Sequence, residues 1–313
     1  MPLPADLTVL ERGWLSSNNL LVHAPDGASA VLVDSGHVVH AEQTVALVRR
    51  ALRGARLERL LNTHLHSDHC GGNAALAAAF APLPVAIPPG GYAAVRRWDE
   101  DALSFRDTGQ RCARFAARER LRPGTSVTLG GRPWDVLAAP GHDPDAVMLF
   151  DARHGVLVSG DALWANGFGV VFPELDGAPA FDQVDAVLGL IEGLPVAWVL
   201  PGHGAPFDDI GAALARARSR LASWRAAPRK HLRHGAKVLL KYHVMEERAQ
   251  PLGDLWAWAA ATPMWQRLHA REGRYESADV PGWCRLLLDE LVAAGVLRVE
   301  GGLVLDVAPA TAG

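Results

Sequence analysis

The sequence predicts an α/β fold followed by a small helical C-terminal region. Three observations carry this expectation. Apolar strand-like runs alternate with helical periodicities as far as residue 204. Side chains able to ligate metal recur where those runs end. Beyond "APRK" at 227–230 the patterns are helical, and the chain closes with two alternating runs around Gly301 and Gly302. With 313 residues it can form one large domain or two ordinary ones. We place the boundary at "APRK", giving residues 1–226 and 227–313.

No run is long and apolar enough to span a bilayer, and nothing else in the composition calls for a membrane. The start, "MPLPADLTVLERGW", has neither a basic n-region nor an apolar h-region, so no signal peptide is expected. Cys70, Cys112 and Cys284 are odd in number and far apart in sequence. They suggest no disulfide framework and fit a reducing, cytoplasmic compartment. A net charge of −3 by itself names no partner.

Residues 18–34, "NNLLVHAPDGASAVLVD", read as two strands joined by a Pro-Asp-Gly turn. "AEQTVALVRRAL" at 41–52 has helical periodicity, "LERLLNT" at 57–63 is a short strand, and "NAALAAAF" at 73–80 is an alanine-rich helix. Residues 84–120 are less regular. We read them as an insertion, a lid that brings Trp98 and Phe105 near a substrate entrance. The strand pattern resumes in "SVTLGG", "PWDVLAAP", "AVMLFDA", "GVLVSGDAL" and "VAWVLPGHG". A helix over 208–226 follows, with Asp208 or Asp209 near its N-terminus. Helical stretches around 235–248, 252–260 and 281–294 then lead to the terminal hairpin. Three helices and a hairpin are the order of a winged-helix module, and equally of a small helical cap.

"NTHLHSDHCGG" at 62–72 crowds His64, His66, Asp68 and His69 onto one strand-end loop. "PGH" at 140–142, "SGD" at 159–161 and "PGH" at 201–203 each place one more candidate, His142, Asp161 and His203, directly after a glycine. Glycine lets the backbone turn sharply toward a shared centre. Taken singly, these are ordinary loop histidines or a helix-capping aspartate. Taken together, imidazoles and carboxylates suit zinc, iron or manganese, and two carboxylates permit a bridged pair. His154, His231, His234, His243 and His269 are given no role, and Cys70 is read as a packing residue.

The motifs resemble those of the metallo-β-lactamase superfamily, and within it the glyoxalase II-like hydrolases. The likeness rests on "THLHSDH" at 63–69, His142, Asp161 and His203, with "LVDSG" at 32–36 and "GGN" at 71–73. It covers roughly residues 8–225. It implies a four-layer αββα sandwich with a dinuclear metal site at one edge of two sheets. By position, His64, His66 and His142 would hold one divalent ion. Asp68, His69 and His203 would hold the other, and Asp161 would bridge them. Zinc is the first expectation, and the same donors accept iron or manganese. The implied reaction is hydrolysis by a hydroxide bridging the two ions, with Asp68 orienting the nucleophile. A thioester, ester or lactone of a small molecule is the expected substrate. A β-lactam is disfavoured, because the bridging carboxylate is typical of the superfamily's other hydrolases.

Residues Ile210 to Met245 contain no Asp or Glu but several Arg and Lys, among them Arg229 and Arg233. Such a run is a solvated helix face or an electropositive rim for an anionic substrate. The latter makes the expected small substrate anionic. The same run supports an alternative: a phosphodiesterase or endoribonuclease whose C-terminal domain contacts nucleic-acid phosphates. A non-catalytic sensor is the third class, and the complete ligand set argues against it.

Overall fold

In most of the long strands neighbouring side chains enter different cores, and both are apolar. The computed structural model describes residues 2–307. Six strands form one sheet in the order of the chain: β1 (Leu7–Leu10), β2 (Asn19–His23), β3 (Ser29–Val33), β4 (Arg56–Leu61), β5 (Val85–Ile87) and β6 (Glu119–Arg120). A second sheet holds β7 (Ser126–Leu129), β8 (Arg132–Ala138), β9 (Val147–Asp151), β10 (Val156–Gly160) and β11 (Trp198–Pro201), ordered β11-β10-β9-β8-β7.

Leu20, Val22, Val31 and Val33 of the first sheet meet Trp134, Val136, Leu149 and Val158 of the second in a central core. The residues between them face outward. Leu21, Leu32 and Leu60 pack under helices α1 (Ala41–Leu52), α2 (Ser67–Cys70) and α3 (Asn73–Ala79). Helices α4 (Tyr92–Arg97) and α5 (Phe105–Thr108) cover the same core farther along, and α6 (Phe172–Asp176) follows β10 and turns Leu175 toward the C-terminal core. Met148, Phe150, Leu157 and Val199 pack under α7 (Phe181–Glu192) and α8 (Ile210–Ala226). Helix, sheet, sheet, helix is therefore the layer order expected from the motifs. Strands buried on both faces read as nearly continuous apolar runs, which is how "LLVH" and "AVMLFDA" look in the sequence.

The reading of 84–120 as an insertion is corrected. β5 pairs in parallel with β4, and β6 with β5, so the ends of this stretch belong to the first sheet. Strands of three and two residues are too short to show a period. Trp98 is corrected with them. It packs on Phe105 and Phe115, at ring separations of 6.0 and 5.5 Å, as part of the outer core.

Helix α8 ends at Ala226, capped at its start by Asp209, and α9 (Pro228–Glu247) begins at Pro228. β12 (Ala249–Pro251), α10 (Leu252–Ala261), α11 (Pro263–Arg271), α12 (Val280–Ala293), β13 (Leu297–Glu300) and β14 (Leu303–Asp306) follow. The predicted hairpin is present, and β12 adds a third antiparallel strand to it. A separate core joins these elements around Leu240, Leu255, Trp265, Trp283 and Leu287. It also takes in Val170 and Leu175 from the preceding sandwich. No helix among the described residues is long and apolar enough to cross a membrane. The proposed domain boundary falls at the break between α8 and α9.

One buried ion pair pins the strand ends of the second sheet. Arg132 Nε donates to Asp151 at 2.6 Å, with the Asp151 side chain fully buried, and Arg132 also meets Asp6. Removing one member of such a pair leaves a buried charge poorly compensated. Arg132→Ala is expected to lower the unfolding free energy by about 3 kcal/mol in denaturant titration. A loss below about 0.5 kcal/mol would show the pair to be dispensable.

Candidate metal centre

The ligand loop leaves β4 and is gripped by the end of β3. Asp34, held at a left-handed φ of 58°, accepts from the Thr63 backbone N–H and the Thr63 hydroxyl, both at 2.8 Å. Its Oδ2 also accepts from His69 Nδ1 at 2.8 Å. Ser35, Asn62 and Asn73 complete the clamp: Asn62 donates to the His69 carbonyl at 3.0 Å, and Asn73 to Asn62 at 2.7 Å. His66 stays extended at the position just before α2, so the chain bends between the first two histidines and the Asp68–His69 pair. The resulting turn presents four candidate donors in two directions.

All seven residues singled out in the sequence come together. Ligand atoms of His64, His66 and His142 lie within 4.8 Å of one another, and so do those of Asp68, His69 and His203. His66 Nδ1 is 3.1 Å from His64 Nε2 and 2.8 Å from His142 Nε2, so three imidazole nitrogens point at one place. Asp161 lies between the groups. Its Oδ1 is 3.3 Å from His69 Nε2 and its Oδ2 is 3.4 Å from His142 Nε2. One carboxylate thus offers an oxygen to each side.

Outer hydrogen bonds aim the rings. His69 Nδ1–H donates to Asp34, and His142 Nδ1–H donates to the Val170 carbonyl at 2.5 Å, which turns each Nε2 inward. Gly202 explains one glycine of the motifs by space rather than by dihedral angle. A Cβ there would collide with Asp161 Oδ1 and sit 2.8 Å from the His69 ring. At Gly160 the backbone does turn left-handed, with φ of 51°.

The electrostatics fit a bound cation. Burial holds His66 and His142 down to about 4 and His64 lower than usual, so all three are neutral with lone pairs free at pH 7. Burial also opposes charge on His69, yet Asp161, Asp34 and Asp68 hold its protonated form well above the ordinary range. Asp68 and Asp161 resist burial too, kept ionised chiefly by His69 and then His203. His69 Nε2 is buried without a hydrogen-bond partner while it faces both carboxylates. Three carboxylates around one imidazole make a place for positive charge, and neutral imidazoles plus carboxylates are the donors that divalent zinc, iron and manganese take.

Several residues near the centre escaped sequence reasoning. Trp164 Nε1 donates to Asp161 at 3.2 Å, and Trp14 stacks on His203 with ring centroids 5.4 Å apart. Tyr242 of α9 lines the same small pocket as Asp68 and Asp161. Only Asp34 left a trace, the "LVDSG" at the end of a strand. Cys70 and Cys112, distant in sequence, bring their sulfurs within 3.8 Å beside this loop, and both are free. His154 sits in the turn between β9 and β10, bonded to Asp151 at 2.8 Å.

A cleft of about 340 Å³ opens at the first ligand group. It shares His66, Ser104, His142 and Phe172 with an inner pocket of about 40 Å³ that reaches Asp68, Asp161 and Phe105. Phe105 is therefore at the site, as expected, whereas Trp98 lines neither space. Asp107, Asp143, Asp145 and Asp176 stand on the cleft wall; Arg267 behind it pairs with Asp107 at 2.6 Å and with Asp176 at 2.7 Å. The basic run 210–245 is corrected accordingly. Arg218 pairs with Glu192 at 2.6 Å, Arg225 with Asp182 at 2.6 Å, Arg229 with Glu272 at 2.6 Å, and Arg233 with Glu276 at 2.5 Å. Lys237 and Lys241 meet Glu290 and Asp306. These cations tie helices together and form no rim around the site.

Residues 12–203 match the sequence profile of the Metallo-beta-lactamase superfamily. The chain belongs to that superfamily. Among curated proteins it is similar to hydroxyacylglutathione hydrolases. Two, from Synechococcus strains, are 31% and 33% identical, covering 61% of this chain and 65% of each relative. One from Anaeromyxobacter dehalogenans is 31% identical and covers 70% of this chain and 76% of the relative. The chain thus matches a little under two thirds of the length of the Synechococcus relatives. A solved B3 metallo-beta-lactamase is 26% identical with a TM-score of 0.56, covering 67% of this chain and 97% of that one. A metallo-beta-lactamase family protein from Thermus thermophilus, 18% identical with a TM-score of 0.57, covers 98% of this chain and all of its own. That likeness extends the shared fold through the C-terminal helices.

Protein purified without chelator is expected to approach two equivalents of divalent metal per chain by elemental analysis. Asp161→Ala is expected to lower both, because the carboxylate stands between the two groups. A variant that kept two tightly held ions would remove Asp161 from the bridging position.

Proposed function

We propose that this chain is a dinuclear metal-dependent hydrolase of an ester-type bond in a small molecule. The observation that carries the reading is the pair of ligand groups with Asp161 between them. His64, His66 and His142 would hold one ion, Asp68, His69 and His203 the other, and Asp161 would serve both. Two divalent ions so held, zinc first, would supply an acidified water and a polarised scissile carbonyl. The chain's own residues do the rest. Asp68, which accepts from His203 at 3.1 Å, orients the water and accepts its proton. The water oxygen adds to the carbonyl carbon, and the C=O pair moves onto the carbonyl oxygen. The adduct then collapses with loss of the sulfur or oxygen leaving group, which takes up the proton. Phe105, Phe172 and Leu239 exclude bulk water from the inner pocket.

A thioester leads the list of bonds, since the similar curated proteins are named for hydroxyacylglutathione. The expectation of an anionic substrate is not carried forward. The basic run that suggested it is engaged elsewhere, and two of the four aspartates on the cleft wall are balanced by Arg267, so the charge of the wall does not select an anionic substrate. The nuclease alternative rested on the same run and gains no support from it. We also propose that residues 227–313 act as a second domain that closes the site from one side.

Hydrolysis of a neutral thioester, an aryl ester, a lactone, bis-p-nitrophenyl phosphate and single-stranded RNA by metal-analysed protein tests the reading. Ester-type turnover is expected, lost on chelation and regained with added zinc, iron or manganese. Turnover of the phosphodiesters alone would overturn it. Arg233→Glu is expected to leave KM for S-lactoylglutathione within about twofold, and to cost about 1 kcal/mol of stability through its lost pairs with Glu276 and Glu290. A several-fold, salt-sensitive rise in KM would restore the electropositive rim.

A further inference from the structure

The reaction above needs a hydrogen-bond donor for the oxygen on which negative charge develops. Helix α9 reaches the inner pocket with Val238, Leu239 and Tyr242, whose spacing of three and four places them on one face. The pocket they close also contains His66, Asp68, His142 and Asp161. Of the three other hydroxyl side chains in its wall, Ser67 donates to Gln110 at 2.5 Å, Thr108 donates to the Ser104 carbonyl at 2.7 Å, and Ser104 stands at the outer end shared with the cleft. Tyr242 instead stands in the same wall as Asp68 and Asp161, carboxylates of the centre itself. A phenolic proton turns about its C–O bond, so it can be aimed at a substrate oxygen in the same pocket without movement of the helix.

We propose that Tyr242 is a catalytic residue whose phenolic O–H donates to the scissile carbonyl oxygen as that oxygen becomes the oxyanion of the tetrahedral adduct. The assignment rests on the ester-hydrolase reading and goes beyond it, because Tyr242 lies outside the matched residues 12–203 and on the C-terminal side of the chain. As the water oxygen bonds to the carbonyl carbon, the C=O pair moves to the oxygen that Tyr242 holds. It returns as the bond to the leaving group breaks, and Tyr242 keeps its proton throughout. A neutral donor in a pocket closed by apolar side chains is worth more than the same donor in water. The C-terminal helices then contribute to the chemistry as well as to the walls.

The test uses the full-length, metal-loaded protein and Tyr242→Phe, which removes the hydroxyl and keeps the ring. With p-nitrophenyl acetate and S-acetyl-N-acetylcysteamine, kcat is expected to fall about 100-fold with KM within about threefold. Metal content should be unchanged. Methylphosphonate, a tetrahedral anion that is not turned over, should bind about 10-fold more weakly to the variant by calorimetry. Unchanged kcat and phosphonate affinity would overturn the proposal. Loss of metal from the variant would also overturn it, since Tyr242 would then serve Asp68 and not the substrate. If the parent protein hydrolyses neither ester, the hydrolase reading falls separately, and the phosphonate measurement still decides whether Tyr242 meets a tetrahedral oxyanion.

Discussion

A carboxylate outside both ligand groups organises this protein. Asp34 accepts two bonds from Thr63 and one from His69, and so ties the end of β3 to both ends of the ligand loop. Without it the loop has no reason to bend between His66 and Asp68, and His69 has no fixed tautomer. Every later feature depends on that bend. It separates the donors into two directions and sets His69 Nε2 against Asp161. It also leaves His66 Nδ1 to face His64 and His142. The strained φ at Asp34 is the local cost of a carboxylate that must serve three donors at once.

The two sheets supply the rest by strand ends alone. Asp161 leaves β10, His203 leaves β11, and His142 lies on the loop between β8 and β9. Layering forces this arrangement. Side chains within the strands are spent on two cores, so chemistry can only sit where strands stop and backbone polar groups are met by side chains. The acidic wall of the cleft follows from the same loops, through Asp143 and Asp145 beside His142. Positive charge concentrated at the centre is thereby surrounded by negative charge at its mouth.

Much of this was legible in the sequence, and the reasons are specific. α1 was read at its observed bounds because its apolar positions repeat at helical spacing and polar residues flank them. The seven donors were legible because each stands at or just past the end of an apolar run, three of them directly after a glycine. Asp34 appeared only as part of a motif, since one aspartate at a strand end has no period. β5 and β6 were too short to read. The basic run misled because its partners are distant: Glu272 lies 43 positions beyond Arg229, and Glu290 lies 57 beyond Arg233. A stretch without acids looks unpaired in one dimension and is paired in three. Tyr242 gave no signal at all, because nothing in a helical pattern says which pocket a helix will close.

The separation of the donors along the chain has a consequence for folding. His64 and His203 belong to different sheets, and their groups meet only when both sheets have formed and packed. Such long-range pairing carries a high contact order and is slow to assemble. An unfolded chain offers at most the short cluster at 64–69, so metal discriminates strongly between native and denatured states. Bound ions then raise the stability of the native state in proportion to the logarithm of their free concentration. For this chain, metal supply would then set the stability of the fold as well as the reaction.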